Sequence, residues 1–331
     1  MNINTSRRSR IISTGSYLPE KILTNFDLEK MVDTSNEWIL ERTGIKERRI
    51  AAEEEAASDL AYEASRKALH SVGLTADDID MIIVATVSGD MAFPSTACFL
   101  QEKLSATNAV GFDINAACSG FIYALFLADS FARNSPHKRV LVVGTEVLSK
   151  ITDWEDRATC VLFGDGAGAV IVEATDEDRG FYSIHINSDG KMWDLIHVPG
   201  GGSRNPASQE TLRERKHYIK MKGNETFKVA VRTLEEVANR TLKENSLNPS
   251  DLALLIPHQA NQRIIQAMAE RLGLPMSKVM MNLDKYGNTS AASIPIALDE
   301  ALRTGRIHDN DFILLEAFGG GLTWASALMK W

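Results

Sequence analysis

Cysteine is scarce in this chain. Of its 331 residues three are cysteine: Cys98, Cys118 and Cys160. The number is odd, and no two of them stand at the CxxC spacing of a metal or redox pair. No disulfide framework is expected, which fits a reducing, cytoplasmic setting. Positive charge is also in deficit. Lys and Arg number 36 against 44 Asp and Glu, giving a formal net charge of −8. A general nucleic-acid binder carries the opposite balance, which argues against nucleic acid as a partner. An acidic protein would have to dock on a local basic patch. No apolar run approaches the roughly 18 residues of a membrane span. Met1 to Arg10 is polar and basic with no long apolar segment behind it, and Ile11–Gly15 reads as a short strand into a turn, so no signal peptide is expected. There is no HExxH and no clustered metal-ligand spacing, so no metal site is expected.

What is present is ordinary globular composition, 44% hydrophobic and 24% charged. The length suits about two units of roughly 150 residues. Apolar runs recur at Met81–Val87, Val140–Val143, Ala167–Val172, Leu252–Ile256 and Phe312–Leu315. They are rich in Val, Ile and Leu with little alternation, as strands buried on both faces should be. Helical patterns lie between them. Ala57–Val72 puts Leu60, Ala61, Ala64, Ala68 and Leu69 on one side and Glu63, Arg66 and Lys67 on the other. Phe227–Leu242 repeats the pattern with Val229, Val231, Leu234, Val237 and Leu242. Strands alternating with helices predict an α/β fold.

The chain also resembles itself. Leu74–Ile83 reads like Leu247–Ile256, and Asn115–Cys118 faces Asn288–Ala291, both at a separation of 173 positions (247 minus 74, 288 minus 115). Ala124-Leu125 meets Ala297-Leu298 at the same separation. A constant offset over so long a stretch predicts two similar α/β halves, residues 1–177 and 178–331, joined at the polar segment Thr175–Gly180. In this register Cys118 has Ala291 as its counterpart and His258 has Ala85, while Asn115 and Asn288 match. Halves packed as pseudo-twofold mates would bring the Cys of one copy toward the His and Asn of the other.

Cys118 follows a predicted strand, Val110–Ile114, and a turn of small residues. It precedes the apolar stretch Phe121–Phe131, read as a buried helix. A helix N-terminus favours thiolate and offers backbone N–H groups to an oxyanion. The alternative is a buried structural cysteine, the reading kept for Cys98 and Cys160. His258 ends the strand Leu252–Ile256, where open α/β sheets carry their sites, or else is a structural histidine. Asn288 lies in a small polar turn before a helix, as a functional amide or as a cap. Phe318–Gly321 lets the backbone approach a ligand, or forms a tight turn. Gly164–Gly168 runs on into a strand, so the dinucleotide fingerprint fails.

Taken together, Asp33–Ile39, Arg42–Ile45, Asp113–Gly120, Phe163–Gly168, Pro257–Asn261, Gly287–Ser293 and Glu316–Trp324 resemble β-ketoacyl-acyl-carrier-protein synthase III, of the thiolase-like condensing enzymes. The strings span nearly the whole chain in the expected order. The resemblance implies a five-layered α/β/α/β/α sandwich of two duplicated halves and a homodimer. It implies a catalytic triad of Cys118, His258 and Asn288, with an oxyanion hole from the N–H groups of Cys118 and Gly320. The implied reaction joins a short acyl-CoA to malonyl-acyl carrier protein through a Cys118 acyl-enzyme, with loss of CO2. Acyl-CoA is a substrate, and no cofactor is implied. Phe318 would lie near the nucleophile. Phe93 would reach across the dimer and limit acyl length, which suggests acetyl or a similarly short primer. Trp38 and Arg157 would sandwich the CoA adenine, and Arg42 would add a contact. Met221, Gly223, Asn224 and Asn261 would line the pantetheine tunnel. Lys228 and Arg263 would dock the acidic carrier protein, with Lys220, Lys222 and Arg271 extending the patch. Glu270 departs from the basic residue usual at its position. A tailoring enzyme of secondary metabolism, a Cys-His thioester hydrolase and a non-catalytic scaffold are the competing readings.

Overall fold

The structure is a computed structural model that describes residues 7–135 and 138–331; the first six residues of the basic N-terminal stretch lie outside them. The first sheet contains β1 (Arg8–Tyr17), β2 (Met81–Ala85), β3 (Val110–Ile114), β4 (Arg139–Glu146) and β5 (Gly166–Thr175). Their spatial order is β1-β5-β4-β2-β3. Strand β2 runs parallel to both its neighbours, while β5 is antiparallel to β4 and β1. The second sheet contains β6 (Gly180–Ser188), β7 (Leu254–Pro257), β8 (Phe312–Gly319) and β9 (Thr323–Lys330), in the order β7-β8-β9-β6. Strand β7 is parallel to β8, and β9 is antiparallel to both its neighbours. The second sheet thus repeats four strands of the first in order and direction. Where β3 would fall, an isolated parallel bridge, Leu255 to Val279, stands among the described residues.

The sequence offset reappears in space. Strands β2 and β7 begin at 81 and 254, and β4 and β8 at 139 and 312, each pair 173 apart. Strand pleating sorts the buried residues between cores. Ile83, Val140, Val142, Leu254, Ile256, Ile313 and Leu315 face the space between the two sheets. Ile82, Val84, Leu141 and Val143 face the opposite side of the first sheet. Leu255 and Leu314 face the opposite side of the second.

Seven helices matter here: α1 (Asn36–Thr43), α2 (Ala57–Ser71), α3 (Thr96–Leu104), α4 (Gly120–Asn134), α5 (Gly223–Glu244), α6 (Gln262–Arg271) and α7 (Ser293–Arg303). Helices α4 and α7 fill the middle layer between the sheets. Helices α2 and α3 cover the first sheet, with Leu60, Ala61, Ala64 and Ala68 inward as the sequence pattern predicts. Helices α5 and α6 cover the second sheet. The result is a five-layered α/β/α/β/α sandwich. One expectation needs correction. Helix α4 is apolar nearly all round but is not buried all round: Leu127 is 39% exposed, because the middle layer covers only the side bearing Phe121, Ile122, Ala124, Leu125 and Ala128.

Candidate active site

Strand β3 leads through small residues to a single 3-10 turn, Ala117–Ser119, with Cys118 at its centre and α4 directly after it. The counterpart turn, Ser290–Ala292, leads into α7 in the same way. Ala117 and Ser290 begin these turns with left-handed backbones, φ 46° and 45°. Such conformations are uncommon for residues with a Cβ and cluster at functional sites. The Cys118 turn presses on the end of β8, where a methyl on Gly319 would lie 2.6 Å from the Cys118 nitrogen. Only glycine permits that approach.

The sequence reading expects the start of α4 to lower the thiol pKa. The structure overturns this. Cys118 is half-buried as a residue, but burial pushes its thiol up to about 12, against the smaller effect of a Ser290 hydrogen bond. Desolvation disfavours the charged form of a buried thiol. At neutral pH the Cys118 side chain therefore rests as a thiol.

His258 follows β7, and its backbone N–H donates to the Glu316 carbonyl on β8 at 2.7 Å. Its Nδ1 lies 2.7 Å from the Ser293 hydroxyl at the start of α7, and that hydroxyl accepts the Gln259 N–H at 3.3 Å. When the Ser293 hydroxyl donates to Nδ1, the proton of the neutral ring sits on Nε2. Burial lowers His258 to about 3, so the ring is neutral at neutral pH.

Asn288 is a cap, as one of its two readings has it, and it also lines the cavity. Its backbone bridges the halves: the N–H donates to Leu162 O at 2.9 Å, and its carbonyl accepts the Gly164 N–H at 3.0 Å. Its Oδ1 accepts the Ser290 N–H at 2.9 Å and so caps the following turn. Fixing Oδ1 in this way fixes the amide, and the NH2 group is left as the donor toward the cavity.

One cavity of about 580 Å³ gathers the predicted site. Cys118, His258, Asn288 and Phe318 line it together with Trp38, Arg42, Met221, Gly223, Asn224, Lys228, Asn261 and Arg263. Phe318 is only 6% exposed. Asn261 caps α6 through the Arg263 N–H and donates from Nδ2 to the Arg42 carbonyl at 2.9 Å, tying α6 to α1. Gly320 and Arg157 are not on the cavity wall. Gly320 stands beside the Cys118 turn, where an added methyl would meet the Ala117 Cβ at 3.8 Å. Arg157 stacks directly on Trp38, its Cζ 5.0 Å from the ring centroid, and Arg42 stacks on the same ring at 4.7 Å. A planar base between Trp38 and Arg157 needs about 7 Å, two van der Waals contacts, so Arg157 must swing outward to admit one. Phe93 is 85% exposed and absent from the cavity wall of its own chain.

The extended basic patch is also corrected. Lys220 pairs with Asp153 at 3.3 Å, Lys222 with Asp194 at 2.5 Å and Arg271 with Glu235 at 2.5 Å. A carboxylate at contact cancels most of a cation's distant field, so these three add little to an anion-binding surface. Among the described residues Lys228 and Arg263 form no ion pair, and Arg263 lies over the Phe227 ring at 5.8 Å. The sequence reading missed Ser290, Ser293 and Glu146. For Glu146 a signal existed: an acidic side chain at the C-terminal end of a run buried on both faces, where a polar residue needs a reason to be.

Known proteins match over nearly all of this chain. The family described as 3-Oxoacyl-[acyl-carrier-protein (ACP)] synthase III matches residues 112–190, and its C-terminal counterpart matches residues 242–331. A beta-ketoacyl-acyl-carrier-protein synthase III from Caldanaerobacter subterraneus subsp. tengcongensis is 57% identical over 97% of each chain. One of the same name from Xanthomonas campestris is 54% identical over 98% of each. The crystal structure of 3-oxoacyl-acyl-carrier-protein synthase III from Aquifex aeolicus superposes with a TM-score of 0.91 at 50% identity, covering 98% of this chain and 100% of that one.

Proposed function

The chain belongs to the 3-oxoacyl-acyl-carrier-protein synthase III family, and from that membership and its cavity we infer an acyltransferase that opens fatty-acid synthesis. It condenses a short acyl-CoA, acetyl-CoA in the first instance, with malonyl-acyl carrier protein. The products are 3-oxoacyl-acyl carrier protein, CoA and CO2. Acyl-CoA enters as a substrate, and the chemistry requires no resident cofactor. The observation that carries this reading is the cavity in which Cys118, His258 and Asn288 meet beneath Trp38 and Arg42.

Cys118 attacks the thioester carbon, and the N–H groups of Cys118 and Gly320 hold the oxyanion. CoA leaves along a tunnel walled by Met221, Gly223, Asn224 and Asn261, its adenine held at Trp38 once Arg157 opens. Malonyl-acyl carrier protein then enters. Neutral His258, donating from Nε2, and the Asn288 amide hold the malonyl thioester oxygen as CO2 departs and enolate charge develops. The enolate carbon attacks the acyl-enzyme beside Phe318. Lys228 and Arg263 supply the local positive charge that lets a chain of net charge −8 receive an acidic partner. Phe93, with Met91 and Val110 also exposed, at 62% and 58%, supports a homodimer in which Phe93 closes the partner's acyl pocket. The halves are assigned to residues 1–177 and 178–331. Among the described residues no helix is long and apolar enough to cross a membrane, and three free cysteines suit the cytoplasm.

Intact-protein mass after incubation with acetyl-CoA tests the reading. An acetyl adduct absent from Cys118→Ala, followed by acetoacetyl-carrier protein on addition of malonyl-acyl carrier protein, is the expected result. Decay of the adduct to free acetate without condensation would reveal a hydrolase.

A further inference from the structure

The Cys118 turn and the glycine run after β8 must stay in register if the N–H groups of Cys118 and Gly320 are to meet at one oxygen. Gly319, Gly320 and Gly321 have no Cβ to restrict their backbone, so contacts from outside the run fix its path. Two hydroxyls join it to the turn. Thr323, the first residue of β9, donates from Oγ1 to the Ala116 carbonyl at 2.8 Å, and the same oxygen lies 3.3 Å from the Gly320 carbonyl. Ser119, fully buried, donates from Oγ to the Thr323 carbonyl at 3.1 Å. The two bonds run in opposite directions between residues 116–119 and residues 320–323. They flank the point where Gly319 meets the Cys118 nitrogen too closely to carry a Cβ.

The duplicated half shows what this joint adds. Gly319 pairs with Thr323 across β8 and β9, and Glu146 pairs with Gly166 across β4 and β5. Positions 146 and 319 are 173 apart, the separation of the two copies. Strands β4 and β5 pack on the 290–292 turn as β8 and β9 pack on the 117–119 turn. Thr323 therefore stands where the other copy has Gly166, which carries no side chain to reach a turn. Ser290 takes the same left-handed backbone as Ala117 without one. The strained turn itself does not require the hydroxyl; the joint between turn and glycine run does, and it belongs to the copy that carries Cys118.

We propose that Thr323 and Ser119 are positioning residues that hold the N–H groups of Cys118 and Gly320 at the spacing of one oxyanion. The proposal rests on the acyl-transfer reading of the cavity. Neither side chain is on the cavity wall, so both act through backbone. Charge develops on the thioester oxygen when Cys118 is acylated, and on the acyl-enzyme oxygen when the new carbon–carbon bond forms. Loss of CO2 from the malonyl group places its charge at His258 and Asn288 instead. The clamp therefore serves acylation and bond formation but not decarboxylation.

Thr323→Val keeps the shape of the side chain and removes the hydroxyl, and Thr323→Ser keeps the hydroxyl. Quenched-flow acetylation by acetyl-CoA, read by intact mass over a range of concentrations, separates the saturating rate from the half-saturating concentration. Thr323→Val and Ser119→Ala should acylate about 10- to 100-fold more slowly at saturation. Their half-saturating concentration should stay within about twofold of wild type, since ground-state binding at Trp38 and Arg42 is untouched. Thr323→Ser should acylate like wild type. All three should release CO2 from malonyl-carrier protein at the wild-type rate. Thr323→Val acetylated at the wild-type rate overturns the clamp. So does an equal loss of acetylation and decarboxylation, which would mark a cavity that has merely loosened. A wild-type enzyme that takes no acyl group from any acyl-CoA overturns the site reading itself, and the clamp with it.

Discussion

At the scale of single residues, Asn288 does two jobs with one amide, and the jobs can be separated. Oδ1 caps the 290–292 turn, and the NH2 group is proposed to hold the enolate. Asn288→Asp keeps the acceptor and loses the donor. Asn288→Ala loses both. Thermal melts should therefore place Asn288→Asp near wild type and Asn288→Ala lower, by about 1 kcal/mol of cap energy. Both should decarboxylate malonyl-carrier protein 10²- to 10³-fold more slowly, roughly the value of one oxyanion donor. If Asn288→Asp decarboxylates like wild type, the donor role is wrong. His258 permits a second prediction. With its pKa lowered to about 3, the ring gains charge only below that value. Decarboxylation should show no histidine titration between about pH 5 and 8, where an ordinary imidazole would change charge. A step near pH 6.5 in the decarboxylation rate, absent in His258→Gln, would contradict a neutral donor.

At the scale of elements, the sites stand where strand ends meet turn starts, and the same places limit what can be read from sequence. The long runs feeding β2, β4, β5 and β8 are legible because burial on both faces removes alternation and leaves plain hydrophobicity. Strands β6 and β9 are not, because Ser183, His185 and Ser326 interrupt their apolar pattern. Those polar groups are satisfied by tertiary partners that no local window contains: Ser183 by Asn245 and Ser326 by Thr241. Cys118, His258 and Asn288 were legible as candidates at strand ends and turns, and the cavity they line together was not, since it joins distant segments. The thiol's environment was not, since desolvation depends on what packs over the sulfur. Nor was the neutralisation of Lys220, Lys222 and Arg271, whose carboxylate partners come from residues 153, 194 and 235. One element contact is sharp enough to test. Gly319 ends β8 against the Cys118 nitrogen, and an added methyl would sit at 2.6 Å from it. Backbone cannot yield as a flexible side chain does. Gly319→Ala should cost about 1–3 kcal/mol of stability and displace Cys118, with acetyl-adduct formation falling at least tenfold. Tm and intact mass measured on the same sample check both. Gly319→Ala acylating at the wild-type rate would mean the turn is looser than its packing implies.

At the scale of the whole molecule, duplication explains why one cavity is built from both halves. Two copies of one turn, at 117–119 and 290–292, meet in the middle layer with the same strained backbone. Both copies keep the asparagine before the turn, Asn115 and Asn288; one turn carries Cys118, and the other opens on Ser290. The same architecture leaves β3 as an edge strand with Val110 exposed, and such edges invite pairing with another chain. An 85% exposed phenylalanine at position 93 is hard to justify in an isolated chain and makes sense if it closes a neighbour's pocket. Mixed dimers separate the two possibilities. Phe93→Gly homodimers should accept longer acyl-CoAs than wild type. In a heterodimer of Phe93→Gly with Cys118→Ala, the one live cysteine belongs to the subunit lacking Phe93, while its partner still presents Phe93. If the partner's ring closes the pocket, that live site should return to short-chain preference, read as the adduct mass from a mixture of acyl-CoAs. If each chain's own residue 93 set the limit, the live site would stay wide, and the proposed role of Phe93 across the dimer would fail even with the dimer intact.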